Sequence, residues 1–270
     1  AQFTSPEKDV EARRIFARLK NSVYAGCQRY SLIGDEDSKR FESFIENLQI
    51  LPYAEPTESA VPIPNATADF GENLLRGRAY GFEVVKRHQL RVSGEQLSRY
   101  GHVNFSGDKW LQLSSVAYRY ISVDSDERYL PNYAFVGRIL AEALWFKLLT
   151  HAHWSPSTAA SMERFRRCFV QSQPGGDWRP VPFSLVVAAL GLASTLHALN
   201  VTDWYDPVVV RETRVSHAQF FYILATFYRC PIYREPRVAQ SVNALLQYVG
   251  DFANAFHCPK SEALARTGRC

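Results

Sequence analysis

Two segments of the chain are apolar on nearly every side of a predicted helix, and they constrain the fold more than any other feature. Residues 133–150, after Pro131, and residues 183–200 carry apolar side chains around the whole helical circumference. A helix of this kind is stable in water only when other elements cover it on all sides. We therefore predict two central buried helices in a mainly α-helical fold with a small β element.

Apolar residues at helical spacing predict further helices around these two. Residues 51–72 are rich in Pro, Ser and Thr and predict a loop, whereas residues 109–122 alternate in part and predict β structure. The second central segment is short for a bilayer and contains Ser184 and His197, so we predict no membrane span. The further helices are predicted at residues 9–24, 38–51, 73–90, 157–170, 216–227 and 237–256.

Charge and processing signals favour a secreted protein. The chain of 270 residues carries 31 basic and 27 acidic side chains, a net charge of +4, which is too balanced to predict a nucleic-acid partner. It begins at Ala1 without an initiator Met, so we expect that a signal peptide has been removed. Three N-x-S/T sequons predict glycans at Asn65, Asn104 and Asn200.

Five cysteines fit an extracellular history, and an odd count leaves at least one thiol unpaired or paired with another molecule. They contain no C-x-x-C pair, so a zinc knuckle or a thioredoxin-like site is not expected. The cysteines are Cys27, Cys168, Cys230, Cys258 and Cys270.

Several motifs, in a fixed order, resemble the neprilysin family of zinc metallopeptidases. The tail has Phe252, then Ala255-Phe256-His257-Cys258, a polar stretch and a final Cys270. Upstream, His217-Ala218-Gln219-Phe220-Phe221 followed by Cys230 resembles H-x-Q-x-F-F … W-C of the family, and residues 161–171 with Cys168 resemble the helix after the zinc motif. Residues 191–199 resemble the end of the helix that bears the third zinc ligand, and residues 11–27 resemble the family's opening segment.

The resemblance implies one zincin-like domain over residues 1–270 that lacks most of the capping lobe. Residues 1–34 would pack on the C-terminal lobe, residues 35–108 would be a shortened divergent region, and residues 109–270 would form a degenerate catalytic lobe. Two disulfides are implied, Cys27–Cys258 and Cys168–Cys270, and Cys230 is left as the free thiol.

The same resemblance implies that the zinc site has been lost. The two histidines of H-E-x-x-H fall on Ala141 and Trp145, and neither methyl nor indole can bind Zn²⁺. Glu142 occupies the place of the general base, although without zinc it has no acidified water to use. From the residues alone, Glu142 is a helix carboxylate that can pair with Arg138 at i−4. The other degenerate positions are Ser184 (third ligand), Ala188 (second-shell aspartate), Val116 (substrate-anchoring Asn), Glu235 and Ser241 (transition-state His and Arg).

We therefore expect no catalytic residues, no metal and no cofactor, and a secreted pseudopeptidase that binds a protein or peptide. Without the lid, the former cavity should open to solvent and expose apolar surface, with Trp145, Trp154, Trp178 and Trp204 as candidate contributors. The first alternative is a subunit of an extracellular or cell-surface hetero-complex, joined through Cys230 or an apolar face. The second is a hydrolase with a site unrelated to the family.

Overall fold

The structure is a computed structural model. The described residues are 5–51, 103–106, 109–123, 129–150, 153–171, 183–200, 204–210, 213–227 and 252–257, with isolated positions between 67 and 79 and at 245, 246 and 249. Helices account for 74% of them, and the rest includes two small sheets. The predicted mainly α-helical class with a small β element is confirmed.

Helix α1, Pro6–Arg29, begins three residues earlier than predicted because Ser5 caps it. The Ser5 hydroxyl accepts a hydrogen bond from the backbone N–H of Lys8 at 3.3 Å, and proline follows at the first helical position. Ala12, Ile15, Leu19 and their neighbours at helical spacing form its buried stripe. The helix therefore packs along one face against the core.

The first sheet joins segments that are far apart in sequence. Helix α2, Ser38–Asn47, leads into strand β1, Gln49–Ile50, which pairs in parallel with β3, Trp110–Leu113. Strand β2, Val103–Ser106, pairs with β3 in antiparallel, so the strand order is β1-β3-β2. The predicted helix over residues 38–51 is therefore too long, because its last residues pair with β3 instead.

The predicted β segment over residues 109–122 is also too long. After β3, the Ser114 hydroxyl accepts from the backbone N–H of Ala117 at 3.2 Å and caps helix α3, Ser115–Arg119. Only the first half of the predicted segment is therefore a strand.

The two apolar segments are helices at the centre of the fold, as predicted. Helix α4, Leu130–Asn132, continues through a π-helical turn, Tyr133–Gly137, into α5, Arg138–Thr150. Helix α6, Pro156–Gln171, follows, and α7, Phe183–Leu199, is the second central helix. Nearly every residue of α7 between Leu185 and Thr195 is buried. Within the described ranges, no helix has both the length and the hydropathy that a membrane crossing requires.

A hairpin and two helices complete the described part of the chain. Strands β4, Pro207–Val210, and β5, Thr213–Ser216, are antiparallel, and α8, His217–Phe227, follows directly. The sequence did not predict this hairpin. The predicted helix over residues 237–256 is described only in part: α9, Phe252–Ala255, is helical, whereas Val249 lies in a bend.

Helices α1, α5 and α7 pack against one another and form the core. Gly191 lets α7 approach α5 closely: a Cβ added there would lie 2.6 Å from Glu142 Cγ and 3.0 Å from its backbone nitrogen. Gly26 of α1 plays a similar part, since a Cβ there would lie 3.0 Å from Cζ2 of Trp145. Glycine at these two contacts sets how closely the three helices meet.

Candidate functional site

The three α5 residues that the resemblance places at H-E-x-x-H lie inside the helix core. Ala141 and Trp145 are fully buried, and Glu142 is 5% exposed. Ala141 and Trp145 are one helical turn apart and share a face. The expectation that this centre opens to solvent is wrong for these described residues, because α1 and α7 cover α5 there.

Glu142 forms a buried ion pair with Arg138, one turn earlier on α5. The side chains of Arg138 and Glu142 are 3% and 7% exposed. The interpretation of Glu142 as a helix carboxylate paired with Arg138 is therefore confirmed. A carboxylate held against a guanidinium in the core has its charge compensated by that partner.

The indole of Trp145 fills the space between α1 and α7. Its Nε1–H donates a hydrogen bond to the Ser194 hydroxyl at 2.9 Å, so the only polar group of the ring is satisfied. Ser22 of α1 donates to the backbone carbonyl of Ser194 at 2.7 Å, and His197 Nδ1 lies 3.1 Å from the Ser22 hydroxyl. The prediction that Trp145 contributes to an exposed surface is wrong, because the ring belongs to this interhelical contact.

The space left beside Trp145 is very small. A gap of about 20 Å³ is lined by residues of α1, α5 and α7, among them Gly26, Trp145 and His197. A cavity needs roughly 10–15 Å³ to hold one water molecule, so this gap admits about one water molecule and no peptide.

The other degenerate positions are only partly described. Ser184 is half-buried and Ala188 is buried, both on α7, the helix that packs on α5. Val116 lies in α3. Glu235 and Ser241 lie outside the described residues.

Zinc does not fit the residues that occupy these positions. Of the described positions, Ala141, Trp145 and Ala188 offer no lone pair to Zn²⁺, and the carboxylate of Glu142 is already paired with Arg138. Elsewhere in the described part of the chain, no cluster of three or more His, Cys, Asp or Glu side chains is arranged to hold a metal ion.

Cys27 departs from the pairing that the resemblance implies. Cys27 on α1 is a free thiol, 1% exposed, so the predicted Cys27–Cys258 disulfide is not formed in this structure. Burial raises the pKa of this thiol well above its ordinary value. Cys168 on α6 is disulfide-bonded to a partner outside the described residues. Cys230, Cys258 and Cys270 lie outside the described residues, so the Cys168–Cys270 pairing and the free thiol at Cys230 stay predictions.

Two of the three predicted glycosylation sites are described. Asn104 lies on β2, opposite Gln112. Asn200 follows the last residue of α7, is exposed, and has a φ of 43°. Asparagine tolerates this left-handed conformation better than most residues, so the sequon begins where the helix ends. Asn65 lies outside the described residues.

A cleft beside α6 was not predicted from the sequence. It has a volume of about 470 Å³ and lies between the end of α5, the inner face of α6 and the start of α7. The residues that line it are Leu149, Trp154, Ala159, Met162, Glu163, Phe165, Arg166, Phe183 and Val186.

The tryptophans proposed for a surface have different places. Trp154 lines the cleft, and its Nε1–H donates to the backbone carbonyl of Leu148 at 2.8 Å. Trp204 is half-buried and packs on Phe221 and Tyr222 of α8, with ring centroids 5.7 and 6.3 Å away. Trp178 lies outside the described residues. Of the described candidates, Trp154 therefore borders a cleft large enough for a ligand.

A second hollow lies on the other side of Glu163. It also measures about 470 Å³ and is lined by Ala160, Glu163, Arg164, Arg167 and Cys168. Hydrogen bonds from Arg166 and then Arg167 lower the pKa of Glu163 to about 2, so this carboxylate is ionised in neutral solution. The sequence did indicate a basic helix here, over residues 157–170. It could not show that the ends of two other helices complete a cleft beside it.

Comparison with known proteins gives no relative: no protein-family model, no curated protein and no solved structure matches the chain.

Proposed function

We propose that the chain is a secreted, non-catalytic relative of the neprilysin family, on a zincin-like scaffold, that acts by binding a peptide or protein. The observation that carries the proposal is the place of Trp145. Where the resemblance puts a zinc-binding histidine, an indole fills the helix interface and donates its N–H to Ser194. A centre that is packed in this way has no space for a scissile bond.

The paired Glu142 supports the same proposal. A general base must reach a water molecule or a substrate proton within hydrogen-bond distance. The Glu142 carboxylate is instead bound to Arg138 inside the core, and Gly191 of α7 lies directly against its side chain. The ion pair with Arg138 explains why a glutamate stands at position 142, so no catalytic role is needed to account for this residue.

The proposed ligand class follows from the clefts. Ligand sites in proteins are concave, mostly apolar and roughly 300–1,000 Å³ in volume, with a few polar groups. The cleft beside α6 is in this range, at about 470 Å³, and combines apolar walls with Glu163 and Arg166. The exposed Asn200 sequon supports the secreted part of the proposal, because a glycan there would meet solvent.

One observation favours the alternative of a subunit in an extracellular complex. Tyr120, Val123 and Tyr129 are exposed by 46%, 40% and 38%. Tyr120 stacks on Phe135. Asn132 of α4 connects this helix to the segment after α3, because its side-chain amide accepts from the backbone N–H of Ser122 and donates to the Ser122 carbonyl. An exposed aromatic surface of this kind is typical of a protein–protein contact.

The test is to incubate the purified chain with a random peptide mixture and zinc chloride and to analyse it by mass spectrometry. We expect a subset of peptides to be retained intact and no new cleavage products. Cleavage that a chelator abolishes would contradict the proposal. Light scattering of the isolated chain under non-reducing conditions tests the alternative, since a monomer would argue against an obligate assembly through Cys230.

A further inference from the structure

The two hollows beside α6 adjoin each other at Glu163, which lines both. We call them together the α6 groove. One half is bordered by carbon-rich side chains such as Trp154, Met162 and Phe183, and the other by Arg164 and Arg167. A ligand that fills the groove therefore meets an apolar surface and a charged surface next to each other.

The apolar half suits one large side chain. The Trp154 Nε1–H is already bonded to the Leu148 carbonyl, so the ring offers mainly hydrocarbon to a ligand. Met162 and Phe165 of α6 are 9% and 4% exposed and form the floor of the apolar half of the α6 groove. Burying an aromatic or large aliphatic side chain against such a surface contributes about 1.5–3 kcal/mol.

Among the described residues, the charged half has a surplus of positive charge. Glu163 accepts from Arg166 at 2.7 and 2.8 Å and from Arg167 at 2.9 Å, so one carboxylate serves two guanidiniums. Arg164, exposed on the same helix, has no ion-pair partner among the described residues. Arg167 is also largely exposed, at 72% of its side chain. Guanidinium groups in excess favour a carboxylate, which they can bind through two parallel hydrogen bonds.

We propose that the α6 groove binds an acidic peptide segment in which a large apolar side chain stands next to aspartate or glutamate. The apolar side chain enters the half beside Trp154, and the neighbouring carboxylate meets Arg164 and Arg167. This inference rests on the proposed function in one respect, namely that the ligand is a peptide. A nucleic acid is less suited, because three arginines with one glutamate between them neutralise few phosphates.

The test uses three fluorescein-labelled pentapeptides and fluorescence polarisation. The first has phenylalanine between aspartates, the second has alanine in place of that phenylalanine, and the third has phenylalanine between lysines. We expect the first peptide to bind roughly ten-fold more tightly than either of the others, since each lacks one of the two matching features.

Variants place the binding in the groove. The double variant Arg164→Glu, Arg167→Glu should lower the affinity for the first peptide by roughly ten-fold or more. It should raise the affinity for the lysine peptide. Ala159→Trp, at an exposed position of α6 that lines the apolar half, should weaken both phenylalanine peptides by obstructing the hollow. The matched control is Arg214→Glu, an exposed arginine on β5 outside the groove, which should leave all affinities unchanged.

The outcomes separate this inference from the proposed function. If random peptides are retained but the three probes bind equally, or if charge reversal in the groove changes nothing, the inference is wrong and the proposed function stands. If neither the peptide mixture nor the probes bind, the inference and the proposed function are both wrong. Preference for the acidic phenylalanine peptide, lost on charge reversal and not in Arg214→Glu, supports the inference.

Discussion

Gly191 of α7 touches Glu142 of α5 so closely that no side chain fits between the two helices. A Cβ at Gly191 would lie 2.6 Å from Glu142 Cγ, 3.0 Å from its backbone nitrogen and 3.1 Å from its Cα. Two of these three neighbours are backbone atoms, which cannot move aside without displacing α5. This contact fixes the helix pair that closes the centre around Trp145.

Gly191→Ala should therefore lower the free energy of unfolding by about 1–3 kcal/mol, the usual cost of overpacking a core. Urea denaturation followed by circular dichroism measures the change. Gly77→Ala is the matched control, because a Cβ there meets nothing within 4 Å and Gly77 is helical. It should be neutral or raise stability by up to about 1 kcal/mol. Equal effects of the two substitutions would contradict the close contact.

Arg138→Met should lower the free energy of unfolding by about 3–5 kcal/mol, because it leaves the Glu142 carboxylate in the core without its guanidinium partner. The double variant with Glu142→Met should be more stable than Arg138→Met alone, because it removes the remaining buried charge. A double-mutant cycle in urea measures this coupling. The exposed pair Arg76–Glu72 has the same spacing, with side chains 41% and 47% exposed. Arg76→Met should change stability by no more than about 1 kcal/mol.

The parts of the fold that the sequence predicts well are those with local causes. Helices α5 and α7 were predicted because their apolar residues cover the whole circumference, and the Arg138–Glu142 pair because i,i+4 residues meet on any helix. Strand β1 could not be predicted, since two residues carry no periodicity and pair with Trp110 and Leu111, about sixty positions later. The β4–β5 hairpin was also missed; its two strands have four residues each.

For the candidate site, the sequence states which side chains α5 carries but not how closely the neighbouring helices pack around them. Ala141 and Trp145 exclude imidazole ligands from the sequence alone. Whether the centre opens or closes depends on Gly26 and Gly191, and a glycine within a helical pattern does not indicate which helix approaches it. The α6 groove needs side chains from three helices, and no local pattern specifies how these helices meet. The free thiol of Cys27 likewise depends on tertiary placement.

Placing histidines at Ala141 and Trp145 should not create a zinc site. Ala141→His with Trp145→His would introduce a larger side chain at a fully buried alanine and remove the indole that fills the helix interface. We expect the free energy of unfolding to fall by about 3 kcal/mol or more. Plasma mass spectrometry should find less than stoichiometric zinc. Adding Ser184→Glu should not change this result.

A matched control shows that the zinc assay detects such a pair. Glu42→His with Glu46→His places two histidines one turn apart on the exposed face of α2. This variant should bind zinc weakly and keep its stability to within about 1 kcal/mol. Tight zinc binding by a folded Ala141→His, Trp145→His variant would contradict the packed centre.

Glu163 should make a small contribution to stability that disappears in acid. Its pKa falls from 4.5 to about 2 through hydrogen bonds from Arg166 and Arg167. Because the pKa is lower in the folded state, the contribution is fully present above about pH 4.5 and is lost as the pH falls towards 2. The side chain is 38% exposed, so solvent screening limits the effect to about 1 kcal/mol or less. Urea titrations of the wild type and Glu163→Gln should differ at pH 6 and converge near pH 2, and the difference should shrink in high salt.

Cys27 should be unreactive while the chain is folded. Its thiol is 1% exposed among the core residues of α1, and burial raises its pKa, so little thiolate forms at neutral pH. Iodoacetamide at pH 8 followed by peptide mapping should leave Cys27 unmodified in buffer and alkylate it in urea without any reductant. A mapped disulfide peptide that contains Cys27 and Cys258 would contradict the free thiol and would favour the pairing implied by the family resemblance. Cys27→Ala is a second check: as the loss of a small buried side chain it should cost about 1 kcal/mol, whereas a variant that broke a bridge closing a loop of about 230 residues would lose roughly 3–5 kcal/mol.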